Sequence, residues 1–206
     1  MNLVSAFRHA VRAVAADHQV LHAYDEKLAS GRRGGSLGHD LLYRAGFQMM
    51  VGYRLMRLFA ESGVPLAPQV ISRLVRFVYG ADIHYEAQIA DGVVIVHGMG
   101  MAVSGLARIG RGAILAHNVS IGEGIDPVTR AVGAPTLEER VHVGPGATLL
   151  GPITIGAGSK VMAGCVVRSS VPPDSLVEAP EPRVAPRQRR AGQPNPHVGT
   201  KPESSS

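Results

Sequence analysis

From Ile83 to Val167 an aliphatic residue returns at nearly every sixth position, and this rhythm constrains the fold more than any other feature. Its members are Ile83, Ile89, Ile95, Val103, Ile109, Leu115, Ile121, Leu137, Val143, Leu149, Ile155, Val161 and Val167. Two steps depart from six: eight residues separate Ile95 from Val103, and sixteen separate Ile121 from Leu137. Four places after most members stands a small or β-branched residue, such as Ala87, Ala107, Ala113, Val119, Ala147 and Cys165. A six-residue unit is too short for a helix pair and fits one short strand plus one tight turn. Three units per coil would stack parallel strands, bury the aliphatic side chain and require small residues at the corners. Thirteen units predict about four coils. Aromatics at 4%, no Trp and 25 Gly suit such a repetitive core. Cys165 falls on the small inward position and is read as buried and inert.

Residues 1–80 have a different period. Apolar residues three and four apart predict a helix over 3–29, which ends at the turn-rich "SGRRGGSLG". A second helix is predicted over 39–63, with Leu41, Leu42, Ala45, Met49, Leu55, Met56 and Phe59 as a broad apolar stripe. A third begins at Pro68 and closes at Gly80. Arg54, Arg57, Arg73 and Arg76 read as a solvated face, and the Met and Phe content as core or subunit interface. The expected organisation is a helical subdomain over 1–80, a β-helix over 81–180 and a disordered tail over 181–206. The tail is assigned on its Pro, Arg and Ser content and near absence of aliphatics.

Composition narrows the function classes. One Cys excludes an internal disulfide and a multi-Cys zinc site, in keeping with a reducing cytoplasm. No apolar run approaches a membrane span, and the N-terminus lacks the pattern of a signal peptide, so a cytoplasmic location is expected. The net charge of +5 is concentrated partly in the tail, and charge alone does not choose among phosphorylated ligands. Neither a nucleic-acid nor a membrane partner is expected.

The two extra residues of the eight-residue step lie in "IVHGMG", residues 95–100. His97 could be a chemical base there or the polar tip of an irregular turn. A neutral imidazole titrates near ~6.5 and can take a proton from a hydroxyl, typically worth about 10²–10⁴ in rate. Counting the units in threes puts those starting at 95, 115, 143 and 161 on one face. Two residues into each come His97, His117, Pro145 and Ala163, which should form one column with neighbours ~4.8 Å apart. His117 is thus a candidate partner for His97, or a solvent-facing side chain on a coil edge. No metal is expected: a zinc site from His84, His97, His117 and His142 is disfavoured, because His84 and His142 lie off the column and no Cys supports them.

These hexapeptide repeats resemble the left-handed parallel β-helix acyltransferases. Within them, "DIHYEAQIADGVVIVHGMG", "GPGATLLGPITIGAGSKVMAGCVV" and "VPPDSLVEAP" look like the serine O-acetyltransferase branch, with weaker similarity in "LLYRAGF" and "GYRL". The resemblance implies a left-handed β-helix, homotrimers or dimers of trimers, and acetyl-CoA as co-substrate in a groove between neighbouring β-helices. It also implies a histidine, matched by His97, that deprotonates the acceptor hydroxyl. On the donor side it implies Gly122, Gly144, Lys160 and Ala163; His84 and Asp126 are candidates for the acceptor side. Several positions depart from the family pattern. Val96 replaces an Asp before the histidine, Gly133 and Ala134 replace an Arg-His pair, Gly35 replaces an acidic residue and Gln48 a His. The expected function is therefore acetyl-CoA-dependent serine O-acetylation for cysteine synthesis. The alternatives are another hydroxyl acceptor, such as a sugar or polysaccharide unit, or a non-catalytic trimeric homologue.

Overall fold

The structure, a computed structural model, describes residues 2–27, 35–126 and 128–181. Four helices come first: α1 (Leu3–Lys27), α2 (Leu37–Tyr43), α3 (Ala45–Glu61) and α4 (Ala67–Tyr79). From Asp82 onward the chain is short strands joined by turns. No described helix is long and apolar enough to cross a membrane. The tail beyond residue 181, expected to be disordered, lies outside the described residues.

The strands form three faces, each a parallel ladder. The first stacks Asp82–Ile83, Ala102–Val103, Ser120–Gly122, Thr148–Leu150 and Val166–Val167. The second stacks Gln88–Ile89, Arg108–Ile109, Thr136–Leu137 and Thr154–Ile155, extended by a bridge from Ile155 to Val171. The third stacks Val94–Val96, Ile114–Ala116, His142–Val143, Lys160–Val161 and Leu176–Val177. Five strands on the first and third faces make about five coils, one more than the sequence predicts. The extra coil was hidden because Val171 follows Val167 by four residues, and Pro172 and Pro173 break the rhythm before Val177.

Every aliphatic member of the rhythm points inward, from 0% exposed at Val143, Leu149 and Ile155 to 7% at Ile89. The small positions are buried too, with Ala87, Ala107, Ala113 and Ala147 at 0% and Cys165 at 3%. Parallel ladders between such short strands supply few hydrogen bonds each. Continuous stacking of inward aliphatics at about 1.5–3 kcal/mol per fully buried side chain is therefore what holds the coils together. The sixteen-residue step leaves the coil as an antiparallel hairpin, Gly124–Ile125 with Val132–Gly133.

The helical part departs from prediction in two ways. The single helix expected over 39–63 is broken at Arg44, whose backbone (φ −109°, ψ 97°) is extended. Its guanidinium bonds Asp25 (Nη1–Oδ1 3.1 Å, Nη2–Oδ2 2.5 Å) and Asp40 (Nε–Oδ1 2.9 Å), which fixes the corner. The apolar stripe holds at Met49 and Met56, both 0% exposed, but Leu41, Leu42 and Leu55 face outward. The turn at Arg44 rotates Leu41 and Leu42 of α2 away from the core, while α3 packs its Met face on the coils and leaves Leu55 on its outer side. Gly46 lies against the carbonyl of Ile95, so a side chain there has no room. The Tyr53 hydroxyl donates to Ala87 O (2.6 Å) and accepts from Ile89 N–H (3.2 Å).

Arg54 is not part of a solvated face. It is 5% exposed and forms a bidentate ion pair with Asp17 of α1, at 2.9 and 3.0 Å. Asp17 Oδ1 also accepts from Gly92 and Val93 N–H (2.8 and 3.0 Å), and Arg54 donates to Ile89 and Ala90 carbonyls (2.8 and 2.7 Å). Burial pushes the Asp17 carboxyl up, while the Arg54 guanidinium and the two N–H groups pull it back. This pair locks α1 and α3 to the first coil.

Candidate active site

His97 closes the corner between the third and first faces of the first coil. In later coils this corner turns on one left-handed residue, at Asn118 (φ 56°), Gly146 (φ 68°) or Gly164 (φ 70°). In the first coil the two extra residues widen it, and His97 (φ 64°), Gly98 (φ 58°) and Gly100 (φ 70°) are all left-handed. A non-glycine residue in that region is uncommon, and holding it there costs of order 1–3 kcal/mol. Two tight hydrogen bonds hold the turn: Gly98 N–H to Val96 O (2.9 Å) and Met99 N–H to His97 O (2.8 Å). Gly98 is buried, and a Cβ there would meet Met49 Sδ at 2.5 Å. The imidazole of His97, one residue earlier, is exposed.

The predicted column is present. Strand register pairs Val96 with Ala116, Leu115 with Val143 and Val143 with Val161, which aligns His97, His117, Pro145 and Ala163 along one corner. The His97 and His117 rings stand edge to face, with centroids 6.1 Å apart. His117 is half-buried, whereas Pro145 and Ala163 are exposed. Two imidazoles and, below them, the exposed Pro145 and Ala163 thus share one open edge. Such an edge can hold a hydroxyl beside a base, with a long thin ligand lying along the coils.

Other predicted residues fall elsewhere. His84, Gly122 and Asp126 lie at the corner between the first and second faces, so one chain separates them from His97. The exposed ring of His84 stacks on Tyr85 (4.8 Å) and its Nδ1 accepts from Glu86 N–H (3.2 Å). Asp126 caps its own hairpin, accepting from Val128 and Thr129 N–H at 2.9 and 2.7 Å, and these bonds hold its carboxyl below the ordinary value. Gly122 packs under Leu150, where a Cβ would come within 2.9 Å of Cδ2. Gly144 is buried between coils, where a Cβ would come within 2.8 Å of the Ala163 backbone N. Lys160 is exposed on the third face beside His142, whose imidazole is pushed down first by burial and then by that ammonium.

The departures from the family pattern also have structural partners. Val96 packs with the cluster of Leu21, Phe47 and Val94, away from the His97 edge. Ala134 packs on the core of the coils. Gln48 is engaged at both ends, donating to Leu41 O (2.7 Å) and accepting from the Tyr79 hydroxyl (2.8 Å). One constellation escaped sequence reasoning altogether: His18, His22 and the fully buried Asp40 converge at the α1–α2 junction. Its signal was the four-residue spacing of the two histidines on a predicted helix. A cleft of about 540 Å³ lies between α1, α3 and the second face, away from the His97 column.

No protein-family model matches the chain. The serine acetyltransferase of Synechococcus elongatus is 32% identical over 167 residues, covering 81% of this chain and 65% of that protein. The first relatives are longer: the chain spans 65% of the Synechococcus protein and 43% of serine acetyltransferase 2 of Arabidopsis thaliana. The serine acetyltransferase of Neisseria gonorrhoeae, solved in complex with serine, superposes with a TM-score of 0.74 at 26% identity, covering 87% of this chain and 71% of that one. The enzyme of Brucella abortus strain S19, solved in complex with coenzyme A, gives 0.72 at 25% identity over 86% and 68%. The serine acetyltransferase of Helicobacter pylori (strain 26695) is 34% identical over 135 residues, 66% of this chain and 78% of its own length. That identity over most of the Helicobacter protein, on a shared parallel β-helix, shows that the chain belongs to the serine acetyltransferase family.

Proposed function

We propose that this chain is an acetyl-CoA-dependent O-acetyltransferase that acts on serine, with His97 as general base. The observation that carries the reading is the widened corner: it holds a histidine in a costly left-handed conformation at the open end of a small-residue column. The Neisseria relative in complex with serine and the Brucella relative in complex with coenzyme A supply the two substrates by likeness. The pantetheine arm of acetyl-CoA would follow Pro145 and Ala163, with Lys160 available to its phosphates. The thioester carbonyl would then lie near His97 and His117.

The chemistry balances simply. His97 takes the proton of the acceptor hydroxyl as its oxygen attacks the thioester carbonyl carbon. The tetrahedral oxyanion collapses, the C–S bond breaks, and the thiolate leaves with the proton returned by the imidazolium. His117, edge-on to His97, orients or polarises that ring. Much of the remaining acceleration comes from holding hydroxyl and thioester together.

In one chain the His97 edge and the corner carrying His84 and Asp126 are separate. A homotrimer, or a dimer of trimers, brings the corner of one subunit against the edge of the next and completes the acceptor side. A second reading has support of its own: no carboxylate stands at position 96, and positions 133–134 carry no cation. Serine needs both charges recognised, so an uncharged hydroxyl acceptor such as a sugar fits those positions better.

Thiol release from acetyl-CoA with serine, homoserine and a sugar panel tests both readings. Release with serine supports the first, and release with a sugar alone supports the second. No release with any acceptor overturns the catalytic proposal.

A further inference from the structure

α1 carries His18 and His22 one helical turn apart, on one face. Both Nε2 atoms point to the same oxygen, Asp40 Oδ2, at 3.1 and 3.2 Å. They also lie 3.0 Å from each other. Direct hydrogen bonding does not account for this triangle. Each Nε2 has one in-plane direction for either a proton or a lone pair. If the two rings bond each other, neither is directed at the carboxylate. If both donate to Asp40, two N–H groups face one another at 3.0 Å. A cation at the centre uses one lone pair from each of the three atoms and removes the conflict.

The dimensions suit a first-row transition ion. Ligands about 2.05 Å from an ion and separated by these distances subtend roughly 95–103°, between octahedral and tetrahedral values. The ion would stand about 1 Å out of the ligand plane, with its other side free for water. His18 and His22 are 19% and 29% exposed in their side chains, which provides that side and an entry path, while Asp40 is 0% exposed. The other carboxylate oxygen is already held: Oδ1 accepts from Arg44 Nε (2.9 Å) and meets His39 Nδ1 (3.3 Å). Asp40 is therefore poised as a monodentate ligand through Oδ2, oriented by outer partners as metal-binding carboxylates are. Imidazole donors disfavour calcium and magnesium and suit zinc.

We propose that His18, His22 and Asp40 bind one zinc ion, which clips α1 to α2. The clip joins helices on either side of residues 28–34, and Arg44, bonded to the same Asp40, is where α3 begins. The N-terminus of α3 in turn packs against Ile95, two residues before His97. The ion thus braces the helical support of the candidate active site and takes no part in acetyl transfer.

The full chain, stripped with a chelator and exchanged into metal-free buffer, is titrated with Co²⁺ while visible absorption is followed, and with Zn²⁺ while thermal unfolding is followed. One equivalent of cobalt should develop d–d bands, and zinc should raise the unfolding temperature. His18→Gln/His22→Gln should weaken binding by at least about 100-fold and abolish the zinc-dependent shift. His97→Gln should bind as the parent does. Absence of stoichiometric cobalt or zinc binding by the unsubstituted chain overturns the proposal. So does equal binding by the double variant. These readouts are independent of whether serine is acetylated.

Discussion

Arg54 shows what a single residue can hide from its sequence context. It lies among arginines at 54, 57, 73 and 76 on predicted helices, a pattern that reads as solvated. Its partner Asp17 is 37 residues away, and no local period points to it. Once folded, the pair satisfies two backbone N–H groups and two carbonyls at the first coil, and no side-chain polar atom among the described residues is left buried and unpartnered. Removing one half leaves the other buried and charged, which costs about 3–5 kcal/mol. Arg54→Met should therefore lower stability to urea by about that amount. Asp17→Leu combined with Arg54→Met should recover a substantial part, since neither charge is then stranded. Equal losses for the single and double variants would contradict this account. The histidine–aspartate cluster showed only the four-residue spacing of its two histidines, because its third member, Asp40, comes from another helix across a segment with no periodic signal.

Elements were read most reliably where position alone decides burial. In the β-helix each side chain's environment follows from its place in a six-residue unit, so the faces, the column of His97 and His117, and the buried Cys165 were all legible. Local rule-breaking defeated the same method: Val171, four residues after Val167, concealed the last coil, and Arg44 broke a helix whose apolar period continues past it. The widened corner was visible as two extra residues, but its cause is a packing fact. Gly98 needs both its left-handed backbone and the space that Met49 leaves beside it. Gly98→Ala should cost about 1–3 kcal/mol. It should also reduce turnover more than substrate binding, because the displaced element carries His97. Thermal unfolding and steady-state kinetics of that variant check both effects; unchanged kcat with lowered stability would show that the corner matters only for folding.

For the whole molecule, a neighbouring subunit is proposed to complete the acceptor side. Apolar side chains remain exposed on α1 at Phe7 and Val11, on α4 at Leu74 and Phe77, and at Val128 and Val132 around the hairpin. Scattered exposed apolar residues are ordinary, but here they fall on helix faces and at the corner proposed to meet a neighbour. Sedimentation equilibrium should give a mass that is three or six times that of the chain; a monomer at micromolar concentration would contradict the shared acceptor site. The sequence carried the family and the corner on which the proposed base stands, because both sit within the rhythm. It carried the acceptor poorly, because the contacts proposed for it lie in loops and helices outside the rhythm. The central claim is that His97 drives acetyl transfer, and thiol release from acetyl-CoA with serine, compared between the parent chain and His97→Ala, tests it most directly. The account predicts a fall in kcat of at least about 100-fold with coenzyme A binding retained; turnover by His97→Ala equal to the parent's would contradict it.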